Sequence, residues 1–69
     1  MTTEKAVHIL YTNYKGDTRI RHILPIGIHF SSSEWHSEPQ WLLDAFDIDK
    51  NANRSFALRD IRAWFQERP

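Results

Sequence analysis

The sequence predicts a mainly β protein: a small, strongly bent antiparallel sheet or open barrel with a short C-terminal helix. Three observations predict it. Residues 6–14, AVHILYTNY, are dense in β-branched and aromatic side chains. Residues 18–30, TRIRHILPIGIHF, alternate with a period of two, apolar at Ile20, Leu24, Ile26, Ile28 and Phe30, with His22 as the one break. Residues 41–58 place two apolar runs, WLLDAFD and RSFAL, on either side of the polar DKNAN, the pattern of a hairpin around its turn.

Each element follows in order. Residues 1–5 are polar and expected to fray, leaving one domain over residues 6–69. The first strand ends at Asn13-Tyr14-Lys15-Gly16-Asp17, where Gly16 takes positive φ at little cost and closes a tight hairpin. The second strand contains Pro25, which lacks an N–H for the ladder, and Gly27, which weakens regular pairing. Together they predict a sharp bend, as at a barrel corner, and a bend accounts for so long a strand. Residues 31–39, SSSEWHSEP, form a loop. Residues 58–66, LRDIRAWFQ, predict the terminal helix, with Leu58, Ile61 and Phe65 on one face and Trp64 beside it.

Composition bounds the function. Sixty-nine residues bury little core, which nine aromatic side chains help to offset. Nine basic and nine acidic residues cancel, so no global field draws the chain to nucleic acid or to a membrane. The absence of cysteine removes disulfides, thiolate nucleophiles and thiolate metal sites, and fits a reducing, cytoplasmic setting, by default bacterial. No apolar run near the N-terminus is long enough for a secretory signal or a membrane span.

Residues 47–58 also invite a calcium-loop reading. Asp47, Asp49, Asn51, Asn53 and Ser55 offer oxygen atoms at alternating positions. The positions that carry the mechanism fail, however. Ala52 stands where the loop needs glycine, Leu58 where a bidentate glutamate closes the shell, and Arg54 brings a cation close to the ion. A polar hairpin turn, for which Asp and Asn are well suited, is the preferred reading.

On that reading three motifs fall in order. Arg21-His22-Ile23-Leu24-Pro25 resembles the Arg-x-Val-x-Pro signature of WYL-type domains. Trp41-Leu42-Leu43-Asp44-Ala45-Phe46 resembles their Trp-Tyr-Leu-x-Ala-Tyr strand, and residues 54–61, RSFALRDI, resemble their closing Arg-x-Phe-x-Leu-x-x-Ile segment. The resemblance runs from about Val7 to Trp64. It implies an SH3- or Sm-like barrel of the kind that serves bacterial regulators as a sensor of nucleotides, single-stranded nucleic acid or another effector. Leu42 departs from the signature tyrosine, and Asp60 stands where a second arginine is frequent.

The candidate ligand-binding residues are Arg19, Arg21, His29, Trp35 and Arg54. Arg19 and Arg21 share a strand face, with His29 expected further along it, and Arg54 is expected to approach from the closing hairpin. Guanidinium forks suit phosphate or carboxylate; the blander alternative is a solvated face paired to Asp17, Asp44 or Asp47. Trp35, in a polar loop, is the best exposed aromatic contact, whereas Trp41 is expected in the core and Trp64 between helix and barrel. No metal site is expected: His22 and His29 should point to opposite faces of their strand, and the Glu34-x-His36 spacing matches no standard site. No cofactor is implied. Serines and histidines are present without a nucleophile turn or a paired acid, so no enzyme is expected. The function expected is a non-enzymatic regulatory or sensory module that binds a nucleotide or single-stranded nucleic acid. The alternatives are a protein-interaction or homo-oligomerisation module through exposed sheet edges and, behind it, a calcium binder.

Overall fold

The computed structural model describes residues 5–32 and 38–66. Five antiparallel strands follow one another: β1 (Val7–Thr12), β2 (Thr18–Ser31), β3 (Gln40–Asp47), β4 (Ala52–Ala57) and β5 (Ile61–Phe65). They form one sheet in the order β4-β3-β2-β1-β5. The chain therefore leaves β4 at one end of the sheet and enters β5 at the other. The link is a three-residue 3-10 turn, Leu58–Asp60, which advances only about 6 Å at ~2 Å per residue. Four strand spacings laid flat amount to roughly 19 Å. The sheet must curl until its two ends approach, which gives an open barrel.

β2 makes the curl. Its 14 residues would extend about 46 Å if straight, whereas the longest dimension of the molecule is 33 Å. The pairing with β3 slips by one residue between Pro25 and Gly27, so the expected bend is a β-bulge. The bulge also changes which side chains face the core. Ile23 and Pro25 lie opposite Asp47 and Ala45, but beyond the slip Ile28 lies opposite Leu43 and Phe30 opposite Trp41. Odd positions face inward before the bulge and even positions after it. The single alternating face expected for β2 is thus corrected: Ile20 lies on the outer face beside Leu10, Ile23 is the buried residue of the strand, and Ile26, Ile28 and Phe30 are exposed. His22 and His29, expected on opposite faces, lie on the same outer face.

The core consists of Val7, Ile9, Tyr11, Ile23, Leu43, Ala45 and Phe56, with Leu58 and Ile61 packed against it. Side chains as completely enclosed as Ile9 and Ile23 each contribute about 1.5–3 kcal/mol of transfer free energy. Tyr11 meets Phe56 edge to face at 4.9 Å, and its hydroxyl accepts the Ala57 N–H at 3.1 Å. That bond joins β1 to the end of β4, across the barrel rather than along a ladder.

Residues 41–58 run as paired strands around a turn, as the hairpin reading requires, and not as helices flanking an ion. Asp47, itself buried, caps the turn by accepting the Lys50 N–H at 3.1 Å, and Asn51 supplies a positive φ of 55°. The Ile48 N–H reaches back to the His22 carbonyl at 2.9 Å. The first hairpin turns at Gly16, with φ 88°.

Two expectations are corrected at the C-terminus and on β3. The helix predicted over residues 58–66 is only the 3-10 turn, followed by β5, which pairs with β1. Ile61, Ala63 and Phe65 are half-buried while Arg62 and Trp64 are exposed, a period of two. Trp41, expected in the core, is 53% exposed, and Leu42 beside it is 1% exposed. Trp64, expected to pack a helix on the barrel, is exposed on β5.

Candidate functional site

The register decides which arginines can meet. Arg21 on β2 lies opposite Ile9 of β1, and Arg54 on β4 lies opposite Ala45 of β3. Ile9 and Ala45 are both fully buried, so both arginines spring from the inner face of the curled sheet. The curl brings them into one open cleft of about 230 Å3, lined by Tyr11, Asn13, Tyr14, Arg21, Arg54, Ser55 and Phe56.

The chemistry of the lining is one-sided. It carries two guanidinium groups and no carboxylate. Neither arginine forms an ion pair among the described residues. The Arg21 Nε is buried without a hydrogen-bond partner, so one of the five guanidinium donors is unmet. Of the acids that the alternative reading assigned to these arginines, Asp44 is hydrogen-bonded to His29 and Ser55, though it lines a second cleft with Arg54, and Asp47 is hydrogen-bonded to the Lys50 amide; Asp17 forms no ion pair with either arginine.

The rest of the lining comes from the barrel wall and the first turn. Burial pushes the Tyr11 phenol above its ordinary value of 10.0, partly offset by the Ala57 N–H, with Asp60 raising it and the two arginines lowering it. At neutral pH the ring is therefore an uncharged wall. Asn13 fixes the turn: its Oδ1 accepts the Lys15 and Asp17 N–H groups at 2.9 and 3.0 Å. That turn holds the Tyr14 ring at the mouth, 66% exposed, with the Lys15 ammonium 5.8 Å from its centroid.

Of the five candidate residues, the structure brings Arg21 and Arg54 together. Arg19 shares the inner face of β2 with Arg21 but lies opposite Tyr11 towards the hairpin end and does not line the cleft. His29 is corrected to the opposite face, because the bulge reverses the parity of the strand after Pro25. Trp35 lies outside the described residues. Sequence reasoning missed Tyr11 and Tyr14 as lining residues. Tyr14 sits beside the Gly16 turn, where a large aromatic has no core to enter, and that signal was readable.

On the outer face a second polar series runs from Ser31 Oγ to His29 Nδ1 at 3.0 Å, and from His29 Nε2 to Asp44 Oδ2 at 3.0 Å. Ser55 Oγ donates to Asp44 Oδ1 at 2.7 Å. His29 and Asp44 are each about two-fifths exposed, and neither lines the arginine cleft. Among the described residues no group of three or more His, Asp or Glu side chains is arranged to hold a metal ion. Among them, too, no helix is long and apolar enough to cross a membrane.

The class of protein so defined is a small open β-barrel with an inward-facing cationic cleft. A family model of the WYL domain matches residues 1–65, and the chain belongs to that family, a family of regulatory and ligand-binding modules. No curated protein and no solved structure matches it.

Proposed function

We propose that the chain is a non-enzymatic sensory module of transcription regulation, acting in the cytoplasm. It binds a nucleotide or single-stranded nucleic acid through Arg21 and Arg54. The observation that carries this reading is their convergence on one cleft that contains no carboxylate. Two forks without internal counter-ions leave the site electrostatically unsatisfied, and a phosphate oxygen satisfies both at once. Tyr14 at the mouth gives a base or sugar a flat apolar surface. The chain as a whole is neutral, so attraction is local to the cleft and not a property of the entire surface.

The test is titration of the whole chain with nucleotides and short single-stranded oligonucleotides at about 50 and about 200 mM salt. Two phosphate contacts on a single strand give a slope of log K against log salt near −1.4, a loss of roughly sevenfold over that interval. Arg21→Ala and Arg54→Ala should each weaken binding at least about tenfold, since charge-assisted hydrogen bonds contribute about 1.5–3 kcal/mol. Each should also flatten the slope by about half. His29→Ala, on the other face, should leave binding unchanged. Absence of binding to every nucleotide and oligonucleotide at the lower salt rejects the proposal.

A further inference from the structure

The inner face of the sheet does not end where the core ends. Beyond the bulge, Ile28 and Phe30 of β2 and Trp41 of β3 continue the face that carries Leu43 and Ala45 into the core. Yet they are open: Ile28 and Phe30 are 58% exposed and Trp41 is 53% exposed, while Ile26 at the bulge is 66% exposed. Phe30 and Trp41 brace one another edge to face at 5.5 Å. This end of the β2–β3 ribbon is an arm with a core-type surface that stands open among the described residues.

We propose that this face is the contact surface of a homodimer, two copies laying their arms together about a two-fold axis.

Two features select a second copy of the chain as the occupant. The first is charge. Ile28, Phe30 and Trp41 carry none, and His29 and Ser31 lie on the other side; Ile26, also uncharged, shares a cleft at the barrel end of the patch with Asp44 and Arg54, one charge of each sign. A two-fold axis sets each patch against itself, and this patch brings no like charges together. Nucleic acid and anionic lipid are disfavoured on this stretch, because Ile28, Phe30 and Trp41 offer a cation to neither.

The second is area. Four apolar side chains, each more than half exposed and two of them aromatic, leave roughly 400–500 Å2 of apolar surface, given about 150–250 Å2 for a whole aromatic side chain. A patch of that size is as large as the largest on an ordinary monomer, where such patches are often functional. Doubled in a symmetric pair and joined by its polar rim, it reaches about 1,000 Å2, the lower limit for a specific interface. Area does not fix affinity, but a pair at that lower limit is a weak, concentration-dependent one.

The experiment is sedimentation of the full chain from about 1 µM to about 1 mM, the range over which weak association shows. The weight-average mass of the wild type should rise from one chain towards two. Phe30→Glu and Trp41→Glu should remain single chains throughout, with unchanged far-ultraviolet circular dichroism, since both side chains are exposed in the single copy. Should either variant lose its fold, Ile28→Thr serves instead and should weaken association about fivefold. Amide chemical shifts recorded on dilution should move at residues 26–30 and 40–43. A wild type that stays a single chain at every concentration overturns the proposal and points to a different protein on the arm. So do Glu variants that associate like the wild type, and dilution shifts confined to another face.

Discussion

His29 and Asp44 meet across the β2–β3 ladder on the outer face, with Nε2 and Oδ2 3.0 Å apart. Ser55 holds the same carboxylate from β4 at 2.7 Å. One acid thereby links three strands, and the hydrogen bond from Ser55 contributes most to keeping its carboxyl below the ordinary value of 3.8. Slight burial opposes this, and the hydrogen bond and charge of His29 add to it. A depressed value in the folded state means that the unfolded chain binds the proton more readily. The stabilisation is complete above 3.8 and is lost as pH falls below it through the folded value. The pair is about two-fifths exposed, so the effect is at most about 0.5 kcal/mol. Urea midpoints at about pH 5 and about pH 3 should show Asp44→Asn losing slightly less stability than wild type over that interval. Equal losses would remove Asp44 from the account of acid sensitivity.

Tyr11 and Ala57 make the cross-barrel bond. Tyr11→Phe keeps the ring against Phe56 and deletes only the acceptor, leaving the buried Ala57 N–H without its partner. The expected cost is about 1–3 kcal/mol, read as a lower denaturation midpoint at unchanged slope. The tyrosine also predicts an alkaline limit. Its value is raised in the fold, so the folded chain keeps the proton longer. The contribution is present below 10.0 and lost as pH rises above it through the folded value. Tyr11→Phe should remove that part of the alkaline decline while lowering stability at neutral pH. A variant as stable as wild type at neutral pH would show that the bond contributes nothing to closing the barrel.

How far the sequence is readable follows from which interactions are local. The hairpin over residues 41–58 is legible because turn chemistry is local: Asp47 caps, Asn51 tolerates positive φ, and the residues a calcium loop needs are missing. The bend at Pro25 and Gly27 is legible for the same reason. Its consequence is not, because one extra residue reverses the parity of everything after it, and nothing in an alternating pattern shows where the count slips. That slip misplaced His29 and the apolar face of β2. β5 was hidden differently. Leu, Arg, Ala and Gln favour helix, and Leu58, Ile61 and Phe65 fit a helical stripe. The open edge of β1 needs a partner, and pairing with it overrides local preference. For the candidate site, Arg21 and Arg54 were readable as residue types in motifs, whereas the Tyr11 and Tyr14 walls depend on how the sheet curls.

The two glycines answer to different physics. Gly16 has φ 88° with nothing within 4 Å of an added Cβ, so Gly16→Ala meets no clash and suffers only the left-handed backbone. A cost of about 1 kcal/mol is expected. Gly27 also has open space, but its φ is not in that region, so the bulge does not depend on glycine there. Gly27→Ala should be neutral or stabilise by up to about 1 kcal/mol through the unfolded chain. Thermal melts of both variants read the difference, and a Gly27→Ala loss as large as that of Gly16→Ala would contradict it.

Trp41 and Leu42 are neighbours with opposite environments, and size predicts their importance in the wrong order. Leu42 is 1% exposed beside Ala57, which is equally enclosed. Leu42→Ala removes three buried carbons and leaves a cavity beside an alanine with no side chain able to fill it, for an expected loss of about 2–4 kcal/mol. In a domain this small, that is a large share of the total stability. Trp41 is more than half exposed and touches Phe30 only edge to face. Trp41→Ala forfeits that ring contact and a partial burial, about 1 kcal/mol or less in the single chain. Urea unfolding at low micromolar concentration, below the range where arms associate, isolates this comparison. There Leu42→Ala should be mostly unfolded in mild urea while Trp41→Ala tracks the wild type. At high concentration Trp41→Ala should fall further behind, because the wild type alone then gains from association. If Trp41→Ala proved the more damaging change at low concentration, the ring would belong to the barrel core and the arm would not be open.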